Sequence, residues 1–148
     1  MLIIMSYLHI LSIMVLAGAL IAEHLILKPN MAKDQVKTLA AVDLIYGISA
    51  IAVLVTGLLR WFVWGKGSEF YLSNPLFHVK ITLFIIIGIL SIWPTIRFLK
   101  WNKARKKGVE PDTGKKSVNK MLMFIRIELL LLVIIPLLAV MVARGYSF

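Results

Sequence analysis

The chain has 148 residues, of which 60% are hydrophobic, and it carries a formal charge of +10 and no cysteine. Soluble domains average about 45–50% apolar residues, so an ordinary water-soluble fold is excluded. The lack of thiols excludes a disulfide framework, a thiolate cluster and covalent c-type haem. The mean hydropathy of +0.90 is concentrated in four blocks, about 2–27, 39–64, 75–98 and 120–143. Each is long enough for a bilayer core of ~30 Å, which takes about 20 helical residues.

Lipid leaves a spanning segment no partner for its backbone except itself, so every block is predicted to be an α-helix. The expected fold is all-α, a single domain over 1–148 built as a four-helix transmembrane bundle. The first block opens with "MLIIMSYLHI". No basic residue precedes the apolar run, so it reads as a retained span rather than a cleaved signal. It stops at Lys28-Pro29, where proline ends a helix. The polar connection 28–38 offers Asn30 or Asp34 as a cap for span two. Span two closes on "LLRWFVWGKG", with Arg60, Trp61 and Trp64 suited to a membrane interface. "GKGSEFYLSNP" reads as a loop, and Asn74-Pro75 opens span three with proline in the first turn. Pro94 lies near the far end of span three. Residues 99–119 read as a flexible loop, and Pro136 is expected to bend span four.

Nine lysines and arginines fall within 97–120, and Lys28, Lys33 and Lys37 flank the first connection. Basic loops stay cytoplasmic, so both connections are assigned inside and both termini outside, in a bacterial inner membrane. The charge thus reads as topology and attraction to anionic head groups, not as a nucleic-acid surface. A weak internal repeat relates "YLHILSIMVLAGAL" to "LFHVKITLFIIIGIL", which suggests two parallel-repeat helix pairs. Gly47, Ala50 and Gly57 form a small-residue stripe on span two, suited to close packing within the bundle or against a second copy in a homodimer.

The polar residues inside the spans fall into two layers. Glu23, His24, Asp43, Arg97, Arg126 and Glu128 lie toward the inner side. Intramembrane ionisable groups usually pair, so this inner polar cluster is expected to be either an ion-pair lock between helices or a functional site. Toward the outer side lie His9, Arg60, Lys66, His78 and Lys80, with Glu69 the only acid nearby. Two histidines and several cations in a half-apolar layer call for an anionic partner that bears a metal. Haem b has that character, with imidazoles for the iron and basic groups for the propionates. His9 and His78 are therefore the candidate metal ligands, and Lys80 and Arg60 the candidate propionate partners. His78 and Lys80 are about 200° apart on a helix. His78 is expected to face the cofactor from inside the bundle, and Lys80 its negative edge.

The runs "LHILSIMVLAGALIAEHLILKP", "DLIYGISAIAVLVTGLLRWFVWGKGSEFYLSNPLFHVKITLFIIIGILSIWPTIRFLKW" and "RIELLLLVIIPLLAVMVARG" resemble domain of unknown function family 2214, bacterial four-helix integral membrane proteins. The resemblance covers nearly the whole chain and implies no activity. The Leu8-His9 run and "FHVK" at 77–80 also resemble spans of HemJ-type protoporphyrinogen oxidases and of CopD-like membrane proteins. That likeness implies haem b, with His9 and Lys80 at functional positions, and it does not extend to span four. The expectation is a haem b redox protein of the membrane, exchanging electrons with quinone or oxidising a porphyrin precursor. The rival is a cofactor-free accessory subunit or small-anion carrier that uses the inner cluster.

Overall fold

The computed structural model describes residues 1–146. Helix α1 runs over Leu2–Ile26, α2 over Lys33–Phe62, a short α3 over Ser68–Leu72, α4 over Pro75–Lys106 and α5 over Lys115–Ala143, and the described residues contain no strand. The four long helices are each apolar and long enough to cross a membrane, as the hydropathy blocks predict.

Three of them outrun their apolar blocks. With 32 residues at ~1.5 Å each, α4 is about 48 Å long, well beyond a bilayer core of ~30 Å. Its last turns, "WNKARK", contain no helix breaker, and Lys103, Arg105 and Lys106 face the negative end of the helix dipole. The helix therefore continues into water until Gly108, which takes a positive φ of 75°. The cap of α2 also differs from expectation. Neither Asn30 nor Asp34 caps it; Asn30 adopts φ 55° in the preceding turn. Ala32 is the N-cap residue, and its N–H donates to Oε1 of Gln35 at 3.0 Å. Between α2 and α4, part of the expected loop coils into α3. At α4 the sequence reading holds: Asn74 accepts from the Leu76 N–H at 3.0 Å, and Pro75 occupies the first turn.

Buried positions recur at helical spacing. Leu16, Ala19, Leu20 and Glu23 face inward on α1. Asp43, Tyr46, Ser49, Val53 and Thr56 do so on α2, and Met121, Ile125, Glu128 and Leu132 on α5. Most of the apolar surface that remains (Ile48, Ile51, Ile89, Val133 and their like) is exposed, which suits contact with lipid. Helix α1 packs against α2, α4 against α5, α2 against α4, and α1 more lightly against α5. The bundle is thus two antiparallel hairpins laid side by side. The two basic connections meet at one end, where the Asn30 N–H donates to the Thr113 carbonyl at 2.9 Å. That end is the basic end below; the opposite one, with α3 and His9, is the histidine end.

Candidate functional site

At the histidine end the four long helices leave a cavity of about 290 Å³. Such a volume is at the lower edge of the ~300–1,000 Å³ usual for small-molecule sites. Helix α1 contributes His9. Helix α2 contributes Gly57, Arg60 and Trp61, and α4 contributes Phe77, Lys80, Ile81 and Phe84. The α4 set follows the spacing i, i+3, i+4, i+7, which is one helical face. His78 lies about 100° off that face.

This placement separates the two histidines. His9 lines the cavity. His78 is exposed, and its Nε2 lies 2.8 Å from the Leu72 carbonyl at the end of α3. The expectation that His78 faces inward and joins His9 is therefore corrected. Lys80 takes the inward position, because the stripe anchored by buried Phe77 selects residue 80 and not residue 78.

The chemistry of His9 follows from Thr56. The Thr56 hydroxyl has one hydrogen, and it points to the Ala52 carbonyl 2.6 Å away. Toward His9 Nδ1, 2.8 Å away, that oxygen can only accept. With the Thr56 hydrogen assigned to the Ala52 carbonyl, the matching tautomer of a neutral His9 has its proton on Nδ1 and its lone pair on Nε2. Gly57 makes room for the ring: a Cβ there would come within 3.3 Å of His9 Cε1. The small residue at 57 thus seats an imidazole.

All the charged side chains lining the cavity are cations: Arg60, Lys66 and Lys80. Lys66 is partly committed, donating to the Ala143 carbonyl at 3.0 Å. Lys80 lies over the face of Phe77, 5.3 Å from the ring centroid, and makes no hydrogen bond among the described residues. The wall also holds an orphan donor, since Trp61 Nε1 is buried without a partner. Buried polar atoms are nearly always paired, so an unmatched N–H beside two cations marks a place for an acceptor. Trp61 is itself held edge-on against Phe77, with centroids 5.0 Å apart.

Nearer the basic end lies a second polar group, and it differs from the expected ion-pair lock. Glu23, Asp43 and Glu128 are buried at 2%, 6% and 1% exposure. Tyr46 donates to Glu128 Oε2 at 3.1 Å, and Thr95 to Asp43 Oδ1 at 3.0 Å. The arginines are elsewhere. Arg126 is exposed and donates to His24 Nε2 at 3.3 Å. Arg97 lies over the Trp93 ring at 5.3 Å. Residue 126 is two positions from buried Glu128, so their side chains leave α5 on different faces.

Thr56, Tyr46 and Thr95 were not singled out from the sequence, and Trp61 was read only as an interfacial residue. A signal for two of them was present: 43, 46, 49, 53, 56 and 60 form one helical stripe on α2, which runs from the carboxyl cluster to the cavity. Among the described residues no group of three or more His, Cys, Asp or Glu side chains could hold a metal ion by itself.

The chain belongs to the family described as predicted membrane protein (DUF2214), whose model matches residues 2–147. No curated protein and no solved structure matches it.

Proposed function

We propose that the chain is a membrane redox protein that holds haem b in the cavity at the histidine end. His9 would supply the imidazole for the iron, and Arg60 and Lys80 would hold the propionates. The observation that carries this reading is the pairing of a bare imidazole lone pair with cations and an orphan Trp61 N–H. A metal in an anionic, largely apolar frame makes use of all of these groups. The Thr56–His9 bond is the second-sphere contact typical of ligating histidines, which donate their other ring N–H. Haem supplies reversible one-electron chemistry when bound. The chain's part is to fix the imidazole tautomer, neutralise the carboxylate edge and keep one face dry against Phe77, Ile81 and Phe84.

The partner in this reading is quinone or a porphyrin precursor. By the positive-inside rule the protein sits in a bacterial inner membrane with the basic end cytoplasmic. With His78 on the outer surface, this chain supplies one histidine rather than two. The test is an absorption spectrum of detergent-purified protein expressed with haem, oxidised and then reduced. A Soret band that His9→Ala abolishes and His78→Ala preserves is the expected result. A colourless protein that takes up no added haem would end the reading and leave the cavity to a smaller anion.

A further inference from the structure

The carboxyl cluster near the basic end is independent of the cavity, and nothing above uses it. It draws on all four spanning helices. Glu23 comes from α1, Asp43 and Tyr46 from α2, Thr95 from α4 and Glu128 from α5. Three carboxyl groups buried inside a spanning bundle must be matched by something positive or made neutral.

The charged side chains of the surrounding helices do not match them. Arg97 and Lys120 both lie over the Trp93 ring, at 5.3 and 4.7 Å. Arg126 is directed to His24 on the outside of the bundle. The hydroxyls of Tyr46 and Thr95 supply one bond each, and Oε1 of Glu23 and Oε1 of Glu128 are buried without a partner among the described residues. These two side chains are among the most deeply buried in the protein, at 2% and 1% exposure. Carboxyls buried this deeply with no cation beside them are neutralised by taking up protons.

We propose that Glu23, Asp43 and Glu128 form a proton-binding site inside the bundle near its basic end, in which exchangeable protons do the work that arginines would do in an ion-pair lock. A metal ion fits less well. The described residues offer no group of three such side chains placed to ligate one, and two of the carboxyl oxygens already accept from hydroxyls. Proton uptake needs only the buried carboxyls, two of whose oxygens have no partner among the described residues. A reversible proton store at this depth is the element that a proton-coupled transport or redox step across a membrane requires.

Infrared spectroscopy of the full chain in liposomes tests this directly. Protonated carboxyls show a C=O stretch above the amide band that shifts in D2O. The expected result is such a band in the native protein at mildly alkaline pH, diminished in Glu23→Gln and again in Glu128→Gln. Asp43→Asn provides a third, near-isosteric variant should either glutamine protein fail to fold. Because the amides mimic neutral carboxyls, the variants should also unfold at temperatures close to the native one. A native spectrum without the band, or a band unaffected by all the variants that fold, would overturn the proposal. So would a rise in unfolding temperature with sodium, potassium or calcium that the variants lose, since the ligand would then be a metal cation.

Discussion

Thr56→Val is the sharpest perturbation of the cavity, because it removes one atom's chemistry and almost no volume. Thr56 is buried at 8% exposure, so the isosteric valine keeps its packing, and the Ala52 carbonyl retains its ordinary place in the helix. What is lost is the acceptor 2.8 Å from His9 Nδ1. The bond itself is worth about 0.5–1.5 kcal/mol. The larger consequence is that the Thr56 oxygen no longer favours the tautomer with its proton on Nδ1. Loss of such second-sphere partners typically costs ~10–100-fold in metal affinity, or about 1.4–2.8 kcal/mol at ~1.4 kcal/mol per tenfold. Titrating haem into haem-free protein and following the Soret band gives the dissociation constant. Thr56→Val should bind ~10–100-fold more weakly, and Thr56→Ser, which restores the oxygen, should recover most of that loss. Equal affinities for Thr56→Val and the native chain would refute the claim that Thr56 sets the state of His9.

Gly57→Ala places a Cβ 3.3 Å from His9 Cε1, so the ring must shift by a few tenths of an ångström; Gly57→Val adds methyls that no such shift accommodates. Haem titration should therefore rank native, Ala and Val in falling affinity, with Val close to His9→Ala. Arg60→Gln combined with Lys80→Gln should weaken haem binding while leaving the iron's axial signature in the reduced spectrum unchanged. Tyr46→Phe leaves Glu128 Oε2 without its donor at 3.1 Å, a loss of about 1–3 kcal/mol; thermal unfolding in detergent should show it as a lowered midpoint. Arg97→Gln and Arg126→Gln remove no contact to the buried acids and should shift stability by no more than ~0.5 kcal/mol. A larger loss in either would restore the ion-pair lock.

The architecture was legible because lipid imposes one solution. Four apolar blocks without a backbone partner must be helices, and the block edges near Pro29 and at Asn74-Pro75 were correctly marked. Where helices continue into water, as at "WNKARK", hydropathy no longer reports the end, and capping and breakers decide. Site residues were harder for a different reason. Hydropathy gives depth in the membrane but not azimuth around the helix. His78 and Lys80 have nearly the same depth, and only the position of Phe77 against the bundle determines which one faces inward. Arg126 and Glu128 have the same ambiguity. For α2 the azimuth was readable, since polar residues at 43, 46, 49, 56 and 60 on a single face of a spanning helix already mark that face as the protein-lined one.

Haem content per chain, measured as the pyridine haemochrome of native and His9→Ala protein purified in parallel, tests the central claim most directly. The account predicts close to one b-type haem per native chain, none in His9→Ala, and full content in His78→Ala. Native protein without haem, or His9→Ala protein that keeps it, would contradict the account.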